Sequence, residues 1–89
     1  MDNEEFQGFT NAKTWCVAIT IDNDKEMLSE AMKIHTEEEF RKFMSRNKHW
    51  FFGMAPWVWP EGCDSEALKA VNVAELLDHY NFRRMDVVK

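Results

Sequence analysis

Three times after the first nine residues a helix-capping side chain is followed three positions later by glutamate: Asn23 with Glu26, Thr36 with Glu39, and Asn72 with Glu75. At this spacing the first side chain accepts from the backbone N–H of the third residue after it, and the glutamate can reach back, so each pair marks a helix start. Apolar residues at helical spacing follow each one: Met27, Leu28, Ala31 and Met32; Phe40, Phe43 and Met44; Val73, Leu76, Leu77 and Tyr80. The chain is thus cut into short amphipathic helices. The helix predicted over residues 37–46 opens on Glu37, Glu38 and Glu39 and closes on Arg41, Lys42, Arg46 and Lys48, which suits both ends of its dipole. A further start is expected where Gly62, Asp64 and Ser65 precede Ala67, Leu68 and Val71.

Such short helices need a dense core. Seven Phe and four Trp in a chain that is 45% hydrophobic bury large areas per side chain, enough for one small domain without disulfides or metal. We place that domain at residues 10–82, with 1–9 as an arm that orders only if Phe6 or Phe9 docks on it, and 83–89 as a mixed C-terminal tail. Cys16 and Cys63 have no paired spacing and no signal peptide precedes them, which favours free thiols in a reducing cytoplasm. The longest uncharged run, Trp50 to Pro60, is far short of the roughly twenty residues a membrane helix needs. From His49 to Pro60, Gly53 and two prolines argue against a regular helix and for an irregular aromatic loop.

One segment reads two ways. Trp15, Val17, Ile19 and Ile21 alternate as in a strand, whereas Thr10 and Asn11 are good N-caps and Ala12, Trp15, Ala18, Ile19 and Asp22 share a helical stripe.

Two separated blocks, TNAKTWCVAITIDND at residues 10–24 and ALKAVNVAELLDHY at 67–80, resemble the opening and closing motifs of a family of small proteins from phages, plasmids and other mobile elements. In that family the first block reads like TNYETWNVALWIDND and the second like ALSEVNWYEIAEHY. The present chain departs at Ala12, Lys13, Cys16, Thr20 and Val73, which replace aromatic, acidic, amide, Trp and Trp residues respectively. The resemblance implies a mobile-element origin and a host-cell cytoplasmic location, and it implies no particular reaction. Its Ala- and Leu-rich first block favours helix for residues 12–22. The expected fold is therefore all-α, with about five short helices around an aromatic core; an α+β fold with Trp15–Ile21 as a strand is the alternative.

Catalytic constellations are absent from the sequence. There is no glycine-rich phosphate loop, no GxSxG elbow and no HExxH helix. His35, His49 and His79 lack zinc-site spacing with each other or with Cys16 and Cys63. Asp22, Asp24 and Glu26 open like a calcium loop, but Met27 and Lys33 stand where a glycine and a bidentate glutamate belong. No enzyme activity, cofactor or metal is expected.

Charge is asymmetric: residues 1–40 carry ten acids and three bases, residues 41–89 six acids and eight bases, for a net −5. The resulting expectation is stoichiometric binding to a host protein, as inhibitors of CRISPR or restriction machinery do. Asp22, Asp24, Glu37, Glu38 and Glu39 would form an acidic face against a basic nucleic-acid channel, with Trp57 and Trp59 as anchors. The alternative is a nucleic-acid module using Arg41, Lys42, Arg46, Lys48, Arg83 and Arg84 with exposed aromatics as stacking platforms. A second alternative is a self-associating structural or regulatory protein, a homodimer through the aromatic loop.

Overall fold

A computed structural model describes residues 7–62 and 64–88, with side chains described up to residue 81. Six helices are present among them: α1 (Ala12–Asp22), α2 (Lys25–Ala31), α3 (Glu37–Arg46), α4 (Lys48–Met54), α5 (Ser65–Leu68) and α6 (Val73–Val88), with a 3-10 turn at Pro56–Val58. No strand occurs among the described residues, so the fold is all-α. Of the arm expected over residues 1–9, Met1 to Phe6 lie outside the described residues, as do Cys63 and Lys89. Phe9 docks, packing against the core and meeting the His79 ring edge-on at 5.6 Å. The backbone of α6 runs to Val88, so residues 83–88, read from sequence as a tail, continue that helix.

Helix α1 is central, packed against α2, α4, α6 and the 3-10 turn, while α3 packs on α5 and α6. This arrangement explains why its sequence looks like a strand. The alternating residues form two pairs one helical turn apart: Val17 and Ile21 are fully buried, and Trp15 and Ile19 are half-buried on another side. With neighbours on several sides, α1 has no single apolar stripe. The expected stripe is corrected accordingly, because Thr14, Cys16, Val17, Ala18, Thr20 and Ile21 are the buried residues.

Capping mostly follows the sequence. Thr36 Oγ1 accepts from Glu39 N at 3.2 Å and Asn72 Oδ1 from Glu75 N at 3.1 Å. The exception is α2, which is capped by Asp24 and not by Asn23. Asp24 Oδ1 accepts from Glu26 and Met27 N, and Asn23 instead ends α1.

The two sequence blocks meet in space, and their polar residues interlock. Asn11 caps α1 through its Oδ1, accepting from Thr14 N (2.9 Å) and Thr14 Oγ1 (2.7 Å), while its amide donates to Ala70 O (2.9 Å). Thr14 Oγ1 in turn accepts from Asn72 N at 2.9 Å, Asn72 Nδ2 donates to Thr10 Oγ1 at 3.0 Å, and Thr10 N donates to Glu75 Oε1 at 3.0 Å. The N-termini of α1 and α6, far apart in sequence, are thereby capped by one shared network. At the other end of α1, the buried Tyr80 hydroxyl lies 3.3 Å from Ala18 O and 3.2 Å from Asp22 Oδ1, its proton shared between them.

Candidate functional site

Residues 48–59 depart most from the sequence reading. The segment expected as a loop is helical through Met54, because Gly53 falls in the last turn and the first proline comes two residues after the helix ends. Pro56 then opens the 3-10 turn, where its missing N–H costs nothing. Only Phe51 of α4 is buried. Trp50 is 54% exposed, Phe52 40%, Met54 41% and, in the following turn, Trp57 63%. Among the described residues these are the large apolar side chains most open to solvent, whereas Phe40, Phe43, Phe51 and Tyr80 are buried.

The two expected anchors therefore separate. Trp57 faces outward, its ring 5.8 Å from that of Trp15. Trp59 is 1% exposed and belongs to the core, which corrects its assignment as an anchor. Its indole N–H donates to Cys16 Sγ at 3.4 Å, the Cys16 thiol donates to Phe51 O at 3.3 Å, and Lys13 Nζ lies 5.6 Å from the Trp59 ring centre. Burial pushes the Cys16 thiol pKa up, against a smaller downward pull from the Trp59 hydrogen bond. A buried, protonated thiol is a poor nucleophile.

The acidic residues form no continuous face. Asp22 is engaged with Tyr80, and Asp24 caps α2. Glu37 and Glu38 line an open groove of 580 Å³ together with Arg41, Lys42 and Lys69, which interrupt the negative charge. Glu39 is exposed on the same first turn. Cations of the alternative patch are also taken up locally: Arg41 Nη1 donates to Leu68 O at 3.4 Å, Lys42 Nζ is 3.8 Å from Glu38 Oε2, and Arg46 Nη2 is 3.4 Å from Glu30 Oε2. Lys48 is exposed at the start of α4, and the Arg83 and Arg84 side chains lie outside the described residues.

What the fold does bring together is Asp24 and the aromatic helix. Thr20, Asn23, Asp24, Met27, Trp50, Gly53 and Met54 line an open groove of 490 Å³ between the end of α1, the start of α2 and α4. Of the residues lining this groove the sequence reading assigns only Asp24 to a binding face, although Trp50, Gly53 and Met54 stand at i, i+3 and i+4. That spacing was the available signal, masked by the expectation that Gly and Pro exclude helix.

His79 Nε2 is buried without a hydrogen-bond partner, 3.8 Å from Asp22 Oδ2. Among the described residues no group of three or more His, Cys, Asp or Glu is placed to hold a metal. No described helix is long and apolar enough to cross a membrane. Compared with known protein families, curated proteins and solved structures, the chain matches none.

Proposed function

We propose that this chain acts by stoichiometric binding to another protein, as a phage or mobile-element product that inhibits a host defence or nucleic-acid-processing complex. The observation that carries the reading is the concentration of Trp50, Phe52, Met54 and Trp57 on the surface of one short segment. At ~150–250 Å² per aromatic side chain, their exposed fractions sum to apolar surface on the order of 400 Å², divided between the face of α4 that carries Trp50 and Met54, the side that carries Phe52, and the turn that follows. Large apolar side chains exposed this densely along one segment of a small protein commonly mark an interaction site. Tryptophan is also the residue type most enriched among the few that dominate binding energy. A net charge of −5 adds attraction to a basic partner and repels phosphate.

The test is affinity capture of the tagged chain from host lysate treated with nuclease, at moderate and at high salt. The expected result is a host protein retained stoichiometrically through both treatments. Recovery of nucleic acid alone, lost with nuclease or steeply with salt, overturns the reading.

A further inference from the structure

We infer that the groove between α1, α2 and α4 docks one α-helix of the target protein, an apolar helix carrying a basic residue that meets Asp24. This deepens the protein-binding reading above and rests on it.

Gly53 carries the argument. It lies inside α4 with ordinary helical backbone, so no left-handed conformation requires a glycine there, and a Cβ built on it meets nothing within 4 Å. Glycine is a poor helix former, so neither the conformation nor the packing of the free protein accounts for it. The position does coincide with the groove, where Trp50 and Met54 stand one turn apart on α4 with Gly53 beside them, and Met27 of α2 also lines the opening. A glycine beside two bulky side chains, with open space over it, leaves a recess into which another backbone can come close. Groove walls repeating at one-turn spacing fit the ridges of an α-helix.

Charge selects among occupants. Asp24 is the one charged residue lining this groove. Its Oδ1 is spent on capping α2, while Oδ2 makes no hydrogen bond to any described residue. An arginine or lysine beside the apolar stripe of the incoming helix would satisfy it. Single-stranded nucleic acid would place phosphate against this carboxylate with no cation in the lining, and a second copy of the chain would bring its own net charge of −5.

The experiment titrates a synthetic amphipathic helix of about five turns, with a leucine stripe flanked by one arginine, into ¹⁵N-labelled protein. A twin peptide has glutamate in place of the arginine, and oligothymidylate is run in parallel. We expect amide shifts confined to residues 20–27 and 50–57. G53A should melt at a higher temperature than the parent chain yet bind the arginine helix about tenfold more weakly, because the new methyl fills the recess. D24N keeps the α2 cap, since asparagine caps as well as aspartate, and should weaken the arginine helix about threefold while binding the glutamate twin no more weakly than the parent chain does.

Equal binding by G53A, shifts elsewhere, equal affinity for the glutamate twin, tighter binding of oligothymidylate, or concentration-dependent dimerisation with the same shifts would each overturn the assignment. Repeating the lysate capture with G53A separates the two levels. If the parent chain and G53A retain the same host protein equally, the groove assignment fails while protein binding stands; if the parent chain retains none, both fail.

Discussion

Replacing Thr14 by valine tests the polar network that joins the ends of the chain. Thr14 is fully buried, and valine has nearly its shape and the same branching, so packing and χ1 preference change little. What changes is the hydroxyl. Its bond to Asn11 Oδ1 at 2.7 Å is lost, at about 0.5–1.5 kcal/mol, although Asn11 Oδ1 keeps the Thr14 N–H. The heavier loss is at Asn72 N, whose acceptor at 2.9 Å was Thr14 Oγ1, and an unsatisfied donor there costs about 1–3 kcal/mol. The expected total is about 2–4 kcal/mol, a large share of the ~5–15 kcal/mol that holds a domain of this size folded. T14S is the control: it keeps both bonds, loses one methyl, and should cost about 1 kcal/mol. Urea unfolding followed by tryptophan fluorescence and by far-UV circular dichroism reads both variants. At an m-value of about 1 kcal/mol per molar, the T14V midpoint should fall by roughly 2–4 M and that of T14S by roughly 1 M. If T14V matches the parent chain, or T14S is the weaker of the two, the network is not what fastens α1 to α6.

The outward and inward tryptophans should separate in the same assay. W59A is expected to lose about 3–5 kcal/mol, while W57A, giving up an exposed ring and its packing on Trp15, should lose less than about 1 kcal/mol; equal losses would contradict their placement. Because burial raises the Cys16 pKa above the ordinary thiol value of 9.0, the folded chain holds this proton more tightly than the unfolded chain. Its contribution is complete below the unfolded thiol's pKa and is lost as pH rises through the folded one, so stability should fall between pH ~8 and ~10 by more in the parent chain than in C16A. Equal falls would place Cys16 in contact with solvent.

Local chemistry made much of this fold legible. Thr36, Asn11 and Asn72 cap the helices they precede, and Phe40, Phe43 and Met44 are all buried, because a cap and an apolar stripe need only residues within a turn or two. The misreadings share a different cause. Asn23 and Asp24 are both competent caps, and which one serves depends on where α1 ends. Trp50, Trp57 and Trp59 are the same residue type within ten positions, yet only Trp59 is turned inward, onto Cys16, by the 3-10 turn that Pro56 begins. Which ring points inward is decided by α4 and the turn docking on α1, a contact between residues some forty positions apart. No periodicity within the segment encodes that.

The distribution of polar bonds separates scaffold from surface. Asn11, Thr14, Asn72, Glu75 and Tyr80, drawn from the two sequence blocks at residues 10–24 and 67–80, all work within the fold, capping helices or bridging them. The exposed Trp50, Phe52, Met54 and Trp57 fall between the blocks, on α4, which Phe51 fixes to the core, and on the turn that follows it. A chain with the same two blocks and the same buried residues between them, Phe51 and Ala55 included, is therefore expected to keep the bundle whatever else occupies residues 48–57. Likeness in the blocks is then a statement about folding. On the proposed function, binding specificity is then to be sought in the intervening segment, where exposed side chains can be exchanged without disturbing the shared caps.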